Sequence, residues 1–83
     1  MITIKVLGPG CDNCKKLEAI THRVVDQMAI EAEVIKVTDH TAIMAYNILS
    51  TPGLVINEKV VSAGRIPSEV EITTFVTNAL QAA

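Results

Sequence analysis

The alternation Ile2-Thr3-Ile4-Lys5-Val6, halted at Gly8-Pro9-Gly10 and followed by an apolar stripe at Cys14, Leu17, Ile20, Val24 and Met28, constrains this chain more than any other feature. Period two puts Ile2, Ile4 and Val6 on one face and Thr3 and Lys5 on the other, the pattern of a strand over about Ile2 to Leu7. Spacings of three and four residues in the stripe predict a helix from about Cys11 to Met28, with Lys15, Lys16, Glu18, His22, Arg23 and Asp26 on its other faces. A strand and a helix joined by a tight loop bury their apolar faces against each other, so the chain is committed to mixing α and β.

Further punctuation falls at Thr51-Pro52-Gly53, at Asn57-Glu58-Lys59 and from Gly64 through Pro67. Ala32 to Val37 reads as a second strand. Asp39 is placed to cap a short helix with Ala42, Ile43 and Tyr46 on its inner face, and Asn47 suits a left-handed end. Leu54-Val55-Ile56 is a continuous apolar run, as in an interior strand, and Val60 to Ala63 is its returning partner. Asn57-Glu58-Lys59 between them reads as a tight hairpin, although Glu58 stands where glycine is preferred. Ser68-Glu69-Val70-Glu71 is a capping box that opens a last helix, with Ile72, Phe75, Val76, Ala79 and Leu80 as its apolar stripe.

The order β-α-β-α-β-β-α predicts an α/β fold, a three-layer α/β/α sandwich built on a four-stranded mixed sheet. Two right-handed strand–helix–strand units are expected to give parallel pairs, and the hairpin to add an antiparallel edge. With 83 residues, no repeat and no linker, one domain spanning 1–83 is expected. A net charge of −2, one adjacent lysine pair and a single Phe and Tyr argue against nucleic acid as a partner. No apolar run approaches the roughly 20 residues of a spanning helix, and the first residues read as strand, not as a leader. No membrane partner is expected, and the location expected is cytoplasmic.

The two cysteines form one C-x-x-C. In a reducing compartment such a lone pair is catalytic or metal-binding more often than structural. Cys11-Asp12-Asn13-Cys14 opens the first helix, where unpaired N–H groups and the macrodipole stabilise an anion. A Cys11 thiolate there should titrate below the free value of about 8.5, helped by Lys15 and Lys16 and weakly opposed by Asp12. Only the thiolate attacks a disulfide, so Cys11 is the candidate nucleophile. Cys14 lies one turn on, within reach of Cys11 and on the buried stripe with Leu17, and is the candidate resolving thiol. Gly8, Pro9 and Gly10 leave the approach to Cys11 clear, which makes Gly10 a candidate substrate-binding residue. Two thiolates also suit a soft ion, Cu(I) or zinc, so a copper or zinc metallochaperone is an alternative, as is a redox-sensing interaction domain. A closed zinc site needs four ligands, however, and beyond the cysteines there are only His22 and His40, both read as surface residues. No metal ligand is assigned.

Leu7 through Lys16, Ser50 through Asn57 and Val60 through Pro67 together resemble the thioredoxin/glutaredoxin superfamily, and within it the small redox-active disulfide proteins. The resemblance covers nearly the whole chain. It implies a thioredoxin-like fold and a thiol–disulfide oxidoreductase that acts on disulfide-containing proteins or small thiols. It implies regeneration by a reductase or a low-molecular-weight thiol, with no tightly bound cofactor. It also implies a cis Thr51–Pro52 bond opposite the cysteines, with the Thr51 backbone pairing to an extended partner strand, which adds Thr51 and Pro52 to the substrate-binding set. Gly64 matches a family glycine that lets backbone lie near the active site. Gly10 stands where typical thioredoxins carry Trp, and Asp12-Asn13 replaces their Gly-Pro. The buried acid of typical thioredoxins has no counterpart in the first strand, where Lys5 occupies about that position. A Lys5 ammonium turned toward the cysteines would favour the thiolate further. Heavy-metal-associated domains also place C-x-x-C after a first strand, but they carry Met where this chain has Pro9 and run β-α-β-β-α-β.

Overall fold

A computed structural model of the chain describes residues 1–81. The elements follow the hydrophobic pattern: β1 (Ile2–Leu7), α1 (Asp12–Met28), β2 (Ala32–Val37), α2 (His40–Met44), β3 (Gly53–Ile56), β4 (Lys59–Ala63) and α3 (Glu69–Gln81). The strands form one mixed sheet in the order β2-β1-β3-β4. β1 and β2 are parallel, joined through α1, and β3 and β4 are an antiparallel hairpin.

β3 is not the second parallel partner expected from the order of elements. It runs antiparallel to β1, with Gly53 opposite Leu7 and Ile56 opposite Ile4. A parallel return must carry the chain back along a strand, about 20 Å for six residues. α2 has five residues, a rise of about 7.5 Å. The connection stays at the end where β1 and β2 stop, and β3 enters from there.

Alternation along the strands divides the core in two. Ile2, Ile4, Val6, Leu54 and Ile56 meet Leu17 and Val24 of α1 and Ile72 and Val76 of α3 on one face. Leu7 and Val55 meet Ile43 and Ile48 on the other, with Tyr46 packed alongside. Two helices thus cover one face and α2 the other, giving three layers. All four residues of β3 are buried, which accounts for its unbroken apolar run. Each large aliphatic side chain so buried contributes about 1.5–3 kcal/mol relative to exposure.

Helix ends follow local chemistry. Cys11 is the N-cap of α1, and Ala29 ends it at φ 53. Thr21, polar yet fully buried on α1, is accommodated because its hydroxyl donates to the Leu17 carbonyl at 2.8 Å. Asp39 caps α2 by accepting from the Ala42 N–H at 3.0 Å, and Asn47 has φ 60. At α3 the Glu71 N–H donates to Ser68 Oγ at 3.2 Å while the Ser68 N–H donates to Glu71 Oε1 at 3.1 Å, a reciprocal capping box. Leu80 leaves the predicted stripe and is exposed. It lies about 80° around the helix from Ile72, outside the arc that holds Phe75, Val76 and Ala79. In the hairpin, Asn57 and Glu58 both have positive φ, 50 and 67, the conformation of a type I′ turn.

Candidate active site

β1 ends at Leu7, and the buried Gly8 begins the loop that delivers Cys11 to the start of α1. Cys11 and Cys14 are joined by a disulfide, with their Cα atoms 5.1 Å apart. Their environments differ. Cys11 is exposed in the extended cap position, and its sulfur accepts from the Cys14 N–H at 3.2 Å. Cys14 is 6% exposed, on the core side of the first turn. One sulfur faces solvent and is met by a helix-start N–H; the other is held inside. On reduction that N–H remains where a Cys11 thiolate can receive it, and a thiolate so placed is stabilised.

The chain segment before β3 comes to the same end of the sheet. Gly8 stands between the two motifs: a Cβ there would overlap the Cys14 sulfur and lie 3.9 Å from the Thr51 Cβ. Thr51 is half-buried, and together with Pro9, Ile43, Met44 and Leu49 it lines a groove of about 250 Å³ beside the cysteine loop. The Thr51–Pro52 bond is cis, and Pro52 is fully buried, so it shapes the loop from beneath. Gly64 does not itself reach the cysteines; its N–H donates to the Pro52 carbonyl at 2.9 Å. Its φ of 79 and the nearness of Ser50 Oγ leave no room for a side chain. Gly10 has φ 95 with open space around it. Gly8, which packs the cysteine pair against the Thr51 loop, was legible only as a loop glycine.

Lys5 does not turn toward the cysteines. Strand alternation sets it on the α2 face, where its ammonium donates to Tyr46 Oη at 2.9 Å and to Glu58 Oε1. Tyr46 Oη in turn donates to Glu58 Oε2 at 2.9 Å. Hydrogen bonds donated to Glu58 and Tyr46 hold Lys5 protonated above its ordinary range, and Lys5 in turn lowers the Glu58 carboxyl. This cluster ties β1, the turn after α2 and the hairpin together, and its charges are spent on one another.

His22 is exposed, and His40 is the exposed first residue of α2. Among the described residues, no three His, Cys, Asp or Glu side chains gather into a group able to hold a metal ion. The β-α-β-α-β-β-α order is also not that of the heavy-metal-associated domains.

An exposed helix-cap sulfur bridged to a buried one, set on a three-layer α/β sheet beside a cis-proline loop, defines a class: the dithiol–disulfide oxidoreductases. Comparison with known proteins narrows it. The thioredoxin domain family model matches residues 2–77. The thioredoxin of Methanocaldococcus jannaschii is 35% identical over 72 residues, covering 87% of this chain and 83% of that protein. The thioredoxin of Methanothermobacter thermautotrophicus is 32% identical over 72 residues, covering 87% of this chain and 94% of that protein. Among solved structures, thioredoxin-2 of the malaria parasite, described as a component of its protein secretion machinery, superposes with a TM-score of 0.69 at 9% identity, over 94% of this chain and 82% of its own. The oxidised thioredoxin of Plasmodium falciparum superposes with a TM-score of 0.62 at 16% identity, over 93% and 79%. The structural likeness concerns the fold. The chain belongs to the thioredoxin domain family, and it is a thiol–disulfide oxidoreductase working through its C-x-x-C.

Proposed function

We propose that Cys11 is the attacking thiol and Cys14 the resolving thiol of a ping-pong disulfide exchange. The supporting observation is the asymmetry across one disulfide: Cys11 exposed at the helix cap, Cys14 6% exposed behind it. The Cys11 thiolate attacks a substrate disulfide, a mixed disulfide forms, and the first substrate sulfur leaves as a thiolate. Cys14, deprotonated, then attacks Cys11 Sγ, the mixed disulfide breaks, and the second substrate sulfur leaves with the electron pair. The substrate gains two electrons and the protein is left oxidised.

Gly10, Thr51, Pro52 and Gly64 are the substrate-binding residues of this reading. Open space at Gly10 suits the approach of a partner. Thr51 borders the groove beside the cysteine loop, and Pro52 and Gly64 are bonded to each other through the Pro52 carbonyl. Substrates are disulfide-containing proteins in a reducing cytoplasm, and a reductase or low-molecular-weight thiol returns the electrons. The test is reduction of a protein disulfide by single variants. Cys11→Ser abolishes turnover, and Cys14→Ser accumulates a covalent mixed disulfide. Full activity in Cys11→Ser overturns the assignment.

A further inference from the structure

The resolving step leaves one proton without a destination. Cys14 is buried, which disfavours its thiolate, and the helix-start N–H is directed at the Cys11 sulfur. A base for Cys14 has to stand beside this first turn of α1.

Beside Cys14 lies a cavity of about 50 Å³ whose wall includes Val6, Cys14, Lys15, Glu18 and Lys36. That volume admits a water molecule. Of the charged residues on its wall, the lysines offer only donors, while Glu18 offers a carboxylate. Glu18 follows Cys14 by one helical turn, on the same side of α1. Cys14 and Glu18 share the wall of this cavity. Lys36 Nζ of β2 stands 4.0 Å from Glu18 Oε1, and His22 Nε2 of α1 stands 3.9 Å from Oε2. The carboxylate is thus flanked on both oxygens, with its side chain 25% exposed.

We propose that Glu18 is the proton acceptor for Cys14. The inference rests on Cys14 being the resolving thiol. In the resolving step the Cys14 S–H proton passes to the Glu18 carboxylate, directly or through one water in the cavity. The Cys14 sulfur then bonds to Cys11 Sγ, and the substrate thiolate departs with the electron pair of the mixed disulfide. When a donor thiolate reduces the oxidised protein, Cys14 leaves as a thiolate and Glu18 returns the proton. His22 and Lys36 are the titratable groups against this carboxylate, and Lys15 shares the cavity wall.

Dipyridyl disulfide separates the two chemical steps in single-turnover kinetics on the reduced protein. Cys11 attack releases one equivalent of pyridinethione, and closure by Cys14 releases a second. In Glu18→Gln the first phase keeps its rate, reporting an intact fold and nucleophile. The second phase slows at least about tenfold at neutral pH. The deficit closes as pH rises past the free-thiol value of about 8.5, and Glu18→Asp restores part of the lost rate. The sign is diagnostic. If Glu18 were only a nearby negative charge, removing it would ease ionisation of Cys14 and speed closure. A second phase in Glu18→Gln that keeps its rate within a few-fold, or quickens, overturns the inference. A second phase that persists in Cys14→Ser overturns the parent reading instead.

Discussion

Gly8 packs so closely on Cys14 that a Cβ at position 8 would overlap the Cys14 sulfur and come within 3.1 Å of its Cβ. With Cys14 held in the disulfide, its sulfur cannot swing aside; in the dithiol it has more freedom. Gly8→Ala should therefore destabilise the oxidised protein by about 1–3 kcal/mol, the range for overpacking, and the reduced protein by less. Urea unfolding of both forms measures the two values. Their difference shifts the dithiol–disulfide equilibrium toward the dithiol.

Gly64 and Gly10 both have positive φ, 79 and 95, but only Gly64 is crowded, by Ser50 Oγ. Gly10→Ala should carry only the backbone penalty, about 1–2 kcal/mol. Gly64→Ala should exceed it, because the added Cβ also forces apart the segments joined by the hydrogen bond from Gly64 N–H to the Pro52 carbonyl. Removing the hydroxyl in Gly64→Ala/Ser50→Ala should recover the steric part alone, measurable as a coupling energy in a double-mutant cycle.

Lys5 is engaged with Glu58 and Tyr46 on the α2 face. Lys5→Met should leave the pH dependence of Cys11 alkylation unchanged. The Glu58 carboxyl, now lowered chiefly by its hydrogen bond with Lys5, should rise toward the ordinary carboxylate range, as followed by NMR titration. A shift in the Cys11 profile would show that Lys5 acts on the cysteines after all.

Glu71 is held at a pKa of about 2, first by the Arg65 guanidinium and then by the Ser68 backbone N–H. A carboxyl depressed in the folded state stabilises above its unfolded value of about 4.3 and loses that contribution as pH falls toward the folded value. Stability of the wild type should therefore fall more steeply between about pH 4.3 and pH 2 than that of Glu71→Gln. Urea midpoints across that range provide the comparison. Ser68→Ala should cost about 0.5–2 kcal/mol through loss of the cap.

Much of the fold was legible because its signals are local. Ile2, Ile4 and Val6 declare a strand face, and Ser68 with Glu71 declare a helix start, whatever surrounds them. The direction of β3 was not, since the apolar run Leu54-Val55-Ile56 reads the same either way and its pairing with β1 is set by segments distant in sequence. Thr21 was missed because its burial depends on a bond to its own helix backbone. In the site, Cys11 and Cys14 carry their chemistry in spacing and position. The closeness of Gly8 to Cys14 and Thr51, and the shared cavity of Cys14 and Glu18, arise only when separate segments meet.

The most direct measurement is mass-mapped alkylation of the reduced protein with iodoacetamide across a pH series. The account predicts a single adduct on Cys11 at neutral pH, with a rate midpoint below the free-thiol value of about 8.5, and Cys14 protected until the protein unfolds. Labelling of Cys14 first, or a Cys11 inert until denaturation, would contradict it.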